Sequence, residues 1–144
     1  MKSVRITRQP IDLARVLSSV DDDEAGGAVL FVGTIRRRSG GKTVEGLTYE
    51  VYRGMAEKRM QEIEDSVRKK WPVVRLVMVH RYGHLKVGEV SVAVAVSCQH
   101  RAEAFEACRY AIDTIKNTLP MWKKEHFRGG AEIWVKGTPI EAGR

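Results

Sequence analysis

Cysteine is scarce in this chain: Cys98 and Cys108 are the only two, ten residues apart. Neither their number nor their spacing makes a zinc site or a disulfide framework. Free cysteine ranks among the most buried residue types, so both are expected as buried thiols. Sulfur chemistry, if the protein performs any, must then draw its sulfur from another source. Histidine is sparse as well. His80, His84, His100 and His126 supply no helical i, i+4 pair, which leaves a histidine metal site without support. His80 and His84 flank a turn and read as surface or hydrogen-bonded histidines.

Long apolar runs are missing too. The longest, such as Ala28 to Val32 and Val92 to Val96, fall far short of the ~20 residues that span a bilayer. The N-terminal MKSVRITRQP alternates polar and apolar residues and has no apolar signal core, so a soluble cytoplasmic protein is expected. Gly40, Gly41, Lys42 and Thr43 lack the preceding glycine of a phosphate-binding P-loop and run into a strand instead of a helix. There is no dinucleotide fingerprint, internal repeat, heptad array or low-complexity tract. Acidic residues are outnumbered by Lys and Arg, 18 to 25, and the net charge of +7 favours an anionic partner. Nucleic acid, a phosphorylated small molecule and an acidic protein all satisfy that charge.

What is present is enough for one folded unit. At 144 residues with 43% hydrophobic content, a single domain spanning residues 1–144 can build its own core. Val4 and Ile6 alternate with polar residues as a first strand, and Ile11, Leu13, Val16 and Leu17 follow Pro10 as a short helix. After an acidic loop, Ala28 to Ile35 reads as a buried strand leading into Arg36, Arg37, Arg38, Ser39, Gly40, Gly41 and Lys42. That basic loop is either an anion site or mobile lid, or an ordinary hairpin connection. Val44 to Tyr52 reads as a strand. A helix is predicted from about Gly54 to Lys70, with Met55, Met60, Ile63 and Val67 facing inward and Trp71 and Pro72 ending it. The β-branched runs Val73 to Arg81 and Glu89 to Cys98 read as a hairpin or neighbouring strands. Ala131 to Lys136 gives a last short strand. The order β-α-β-β-α-β-β-α-β predicts an α+β fold.

The segment from Ser97 to His126 carries the most chemistry. Phe105, Cys108, Ile112, Ile115 and Leu119 step by three and four as the apolar stripe of a helix that Pro120 stops. Lys116 lies one turn on from Ile112, at the edge of that stripe, where burial lowers an amine's pKa. His100 and Arg101 fall at the helix start, a place unfavourable to cations unless an anion binds there as well. Arg101 as a solvated side chain and His100 as a makeshift cap is the plainer reading. Lys116, Lys123 and Lys124 offer a set in which one amine acts as base or nucleophile while another holds phosphate. Interleaved with Trp122 and Phe127, the same lysines also fit a surface that stacks on single-stranded nucleic acid.

FVGTIRRR at 31–38, YEVYRGMAEKRMQEI at 49–63, HRYGHLKVGE at 80–89, SCQHRAEAFEA at 97–107 and IKNTLPMWKKE at 115–125 appear in that order. Together these blocks cover most of the chain, which resembles the large, catalytic subunit family of molybdopterin synthase. The resemblance implies an α/β hammerhead-type domain with an additional antiparallel β-subdomain. It also implies a homodimeric core flanked by two copies of a small ubiquitin-like sulfur-carrier subunit, making a heterotetramer. That subunit ends in a Gly-Gly thiocarboxylate, which delivers sulfur to cyclic pyranopterin monophosphate (precursor Z). Two transfers form the dithiolene of molybdopterin. The implied activity is that of a cytoplasmic sulfurtransferase with no resident cofactor or metal and no nucleic-acid or membrane partner.

By the same resemblance, Lys116 and Lys123 match the catalytic lysines. Arg36 and the His100-Arg101 pair match residues that bind phosphate and pterin, and Thr34, Ile35, Lys124 and Glu125 match segments lining the substrate pocket. Some relatives carry an arginine shortly after the tryptophan matching Trp134, where this chain has Val135, Lys136, Gly137 and Thr138. A helix rises ~1.5 Å per residue, so His100 and Lys116 stand roughly 24 Å apart and cannot touch one pterin from one helix. A pocket that takes Lys116 from one protomer and His100-Arg101 from its partner resolves the distance.

Overall fold

The computed structural model describes residues 1–136. Among them the chain runs β1 (Val4–Thr7), α1 (Leu13–Ser18), β2 (Gly27–Thr34), β3 (Arg38–Ser39), β4 (Lys42–Val51), α2 (Arg53–Lys70), β5 (Val73–Arg81), β6 (Gly83–Lys86), β7 (Val90–Cys98), α3 (Arg101–Thr118), β8 (Met121–Phe127) and β9 (Glu132–Lys136). The α+β expectation holds, with the helices packed on one sheet and a second, antiparallel sheet beside it.

The first sheet has the order β1-β5-β7-β2. Its β5, β7 and β2 are antiparallel neighbours, and β1 lies parallel to β5. Strand alternation divides the core in two. Leu76 and Met78 of β5, with Val92, Val94 and Val96 of β7, face α2 and α3. Val77, Val79, Ala93 and Ala95 point the other way, onto Val16 and Val20 of the α1 region. A sheet covered on both faces explains why β5 and β7 read as unbroken β-branched runs. The α1 helix starts at Asp12, whose Oδ1 accepts from the Arg15 backbone N–H at 3.1 Å. Removing that cap with Asp12→Ala should lower unfolding stability by about 1 kcal/mol, measured by urea denaturation.

In the second sheet β4 is central. β8 pairs along one edge and β6 along the other, while β9 extends the sheet beyond β8. The basic loop resolves into a tight hairpin, since β3 pairs with the start of β4 through Gly40 (φ 56) and Gly41 (φ 78). Two consecutive left-handed residues are what a two-residue type I′ turn requires. Gly46 is needed where β6 meets β4, because a Cβ there would sit 2.9 Å from the Leu85 backbone oxygen.

Four sequence expectations change, the first being the run read as a buried strand from Ala28 to Ile35: no residue of β2 itself is buried and Phe31 is 37% exposed. Met55 and Phe105 are 62% and 60% exposed, not inward-facing. The buried stripes are Ala56, Met60, Ile63 and Val67 on α2, and Ala104, Ala107, Cys108, Ala111, Ile112 and Ile115 on α3. Each misplaced residue is one position round from a small alanine that lets the helix sit close to the sheet. The Tyr82 to Gly88 connection is more than a turn, because β6 within it reaches across to β4. The chain also has a strand, β8, immediately after Pro120, where the sequence predicted no element. Cys98 and Cys108 are buried free thiols, as expected.

Candidate functional site

Where α3 ends, the two sheets meet. Leu119 is extended (ψ 131) ahead of Pro120, as a residue before proline prefers, and the chain turns straight into β8. This turn places Lys116, in the last turn of α3, beside Lys123, the third residue of β8. Alternation along β8 then sorts the basic run. Lys123 and Glu125 pair opposite Tyr49 and Leu47 of β4, and all four line a shared cavity.

That cavity encloses about 270 Å³. Thr34, Ile35 and Arg36 enter it from the end of β2, Arg38 from the hairpin, Ser91 from β7 and Lys116 from α3. A bond from Ser39 Oγ to Glu125 Oε1, 3.2 Å, ties the hairpin to β8. The lining thus gathers four cationic side chains around one carboxylate, in a volume suited to a small anionic molecule.

Burial holds the Lys116 amine below its ordinary pKa, and the nearby charges of Lys123 and Arg36 push the same way. Lys123 is also lowered, first by burial; Arg36 adds to the shift and Glu125 opposes it. Two half-buried amines that lose protons more readily than free lysine, next to arginines that stay charged, are equipped to move protons beside a bound anion. Tyr49 is shifted upward, chiefly by burial. Among the described residues no group of three His, Cys, Asp or Glu side chains is placed to hold a metal ion.

Thr34, Ile35, Arg36, Lys116, Lys123 and Glu125 are therefore brought together. Lys124 is not. It points to the other face of β8, with Nζ 3.5 Å from Glu132 Oε1 and 4.6 Å from the centre of the Trp134 ring. His100 and Arg101 are exposed at the start of α3, sixteen residues from Lys116, and lie outside this cavity. His100 caps the helix without a side-chain hydrogen bond. Trp122 and Phe127 fall on opposite faces of β8 and Phe127 is buried, so the lysines and aromatics do not form one stacking surface. Lys136 ends β9, and Gly137 and Thr138 lie outside the described residues.

Arg38, Leu47, Tyr49 and Ser91 complete the lining without having been singled out as site residues. Arg38 was visible only as part of a basic loop. The other three are set by strand register, which no local pattern encodes. None of the described helices is long and apolar enough to cross a membrane.

Comparison with known proteins agrees with this architecture. The family model described as MoaE protein matches residues 6–118. A molybdopterin synthase catalytic subunit from Nostoc sp. is 45% identical over 134 residues, covering 92% of this chain and 81% of the relative. One from Halalkalibacterium halodurans is 42% identical, covering 93% and 85%. In structure, molybdopterin synthase from Staphylococcus aureus is similar with a TM-score of 0.88 and 37% identity, over 94% of this chain and 98% of that one. The MoaE protein of Burkholderia ambifaria gives 0.83 and 31%, over 98% and 93%. Since the matched span runs from β1 to the C-terminal end of α3, and the aligned relatives continue past it, this chain belongs to the MoaE family, that of the molybdopterin synthase catalytic subunits.

Proposed function

We propose that the chain is the catalytic subunit of a molybdopterin synthase. It acts as a cytoplasmic sulfurtransferase that moves sulfur from the C-terminal thiocarboxylate of a small ubiquitin-like subunit to cyclic pyranopterin monophosphate. The observation that carries this reading is the convergence of Lys116, Lys123, Arg36 and Glu125 on one 270 Å³ cavity. Arg36 is suited to the substrate phosphate, since a guanidinium stays charged and binds oxyanions in a bidentate manner. Lys116 acts at the substrate carbon or its leaving oxygen, and Lys123 transfers a proton or holds the thiocarboxylate. No resident cofactor is required, because the sulfur arrives on the partner and both cysteines are buried.

The direct test mixes the pure chain with thiocarboxylated small subunit and the cyclic pterin, then measures dithiolene product. Product should form only with all three components. Its absence from the complete mixture would overturn the reading.

Because His100 and Arg101 stand a helix length from Lys116, the proposed complete site draws them from the partner protomer of a homodimer. Mixing a Lys116→Ala chain with a His100→Ala, Arg101→Ala chain should then restore activity. With random pairing half the dimers are mixed and each holds one intact site, giving about a quarter of wild-type turnover. A mixture no more active than its inactive parents would show that the pocket is not shared.

A further inference from the structure

Below the 270 Å³ cavity lies a smaller one of about 20 Å³, bounded by Tyr49, His80, Lys116 and Lys123 among others. Such a space accommodates about one water molecule. His80 is the imidazole in its lining. It is 2% exposed and sits on β5 in the middle of the first sheet, paired with Ile6 on one side and Val92 on the other. The Tyr49 ring packs against it edge-on, centroids 5.2 Å apart at 80°, and so fixes the imidazole plane.

The tautomer follows from one distance. His80 Nδ1 lies 2.8 Å from the Arg81 carbonyl oxygen. A carbonyl only accepts, so Nδ1 carries the proton, and Nε2 of the neutral ring is left as an acceptor. The donors around the cavity are the Tyr49 hydroxyl and the two amines. Of the two amines, Lys116 is the one whose charge acts on His80, and it lines this cavity with the imidazole. His80 also feels the Lys116 charge directly, which together with burial keeps the ring neutral.

We propose that His80 is a positioning residue for Lys116: its Nε2 accepts one N–H of the amine, directly or through a single water, and so turns the amine's lone pair toward the larger cavity. A neutral acceptor suits this position better than a carboxylate, which would hold the amine as an ammonium with no lone pair to offer near neutral pH. The inference rests on the sulfur-transfer reading for its consequence and on the cavity for its geometry.

The test pairs two conservative variants. His80→Asn keeps a donor for the Arg81 carbonyl and loses the acceptor at the ε position, whereas His80→Gln places a polar group at that position. His80→Asn should lower kcat about tenfold to a hundredfold with KM for the pterin nearly unchanged, the scale of one lost hydrogen bond to a catalytic group. His80→Gln should recover most of that loss. Equal losses in both variants, or none in His80→Asn, would overturn the proposal. A second measurement needs no His80 variant. Nitrogen-15 NMR of the intact protein should show the Nδ1–H tautomer from pH 5 to 8, with an Nε2 resonance that moves in Lys116→Ala. A ring protonated at pH 7, an Nε2–H tautomer, or an Nε2 resonance indifferent to Lys116 would overturn the contact. If wild type forms no dithiolene, the sulfur-transfer reading fails, while the NMR result still decides whether His80 holds Lys116.

Discussion

Lys116→Ala should reduce dithiolene formation by about a thousandfold or more, the scale expected when a positioned acid–base or nucleophilic group is removed. The loss should appear in kcat, since Arg36, Arg38 and Lys123 remain to bind the anionic substrate. Folding should not suffer. Lys116 is held half-buried and among like charges, a cost expressed in its lowered pKa, and alanine removes both the buried amine and the repulsion with Lys123 and Arg36. Lys116→Arg separates chemistry from charge, because a guanidinium keeps the cation but cannot give up its proton near neutral pH. It should be nearly as inactive as alanine. Turnover near the wild-type rate in either variant, measured on protein with unchanged melting temperature, would remove Lys116 from the catalytic role.

The second large effect is on acid stability. His80 is held neutral by burial and by Lys116, with its pKa lowered from 6.5 to about 4. Between those values the unfolded chain binds a proton at this residue and the folded chain does not, so acid favours unfolding across that window. The stability present above pH 6.5 should fall by about 3 kcal/mol as the pH drops to 4, from the linkage between a shifted pKa and folding. The lowered carboxylates Asp22, Glu89 and Glu132 act in the same direction but only below their ordinary values of 3.8 to 4.5. The two windows are therefore separable. Urea midpoints measured from pH 7 to pH 4.5 should fall steadily for wild type and stay nearly flat for His80→Phe. A flat wild-type profile would mean that the imidazole reaches water when protonated.

Much of the frame could be read directly from the residues. The runs in β5 and β7, the stripes of α2 and α3 and the stop at Pro120 follow from periodicity and from proline chemistry. Errors came where two neighbouring residues compete for one stripe, as Met55 with Ala56 and Phe105 with Ala104, and the smaller residue won because close helix–sheet packing favours it. The strand β8 was hidden for a different reason. Its sequence, MWKKEHF, places charge on both faces, since one faces the 270 Å³ cavity and the other is partly open to solvent, so no apolar alternation marks it. Spacing along the helix located Lys116 at the edge of the core, the lysine-rich run offered Lys123 with it, and Arg36 stood in the basic loop; Thr34, Ile35 and Glu125 came from motif resemblance. Leu47, Tyr49 and Ser91 came from neither, because only the pairing of β4 with β8 brings the first two onto the lysine face.

That pairing joins residues far apart in the chain, as Leu47 with Glu125, whereas every strand of the first sheet and the helices α1 to α3 are complete by Thr118. Synthesis proceeds from the N-terminus, and domains gather as their parts emerge. In order of synthesis the strands of the first sheet and helices α1 to α3 therefore all precede Lys123 and Glu125. The cavity closes only with β8, and a chain that stops near Pro120 carries Lys116 without the wall that holds Lys123 and Glu125.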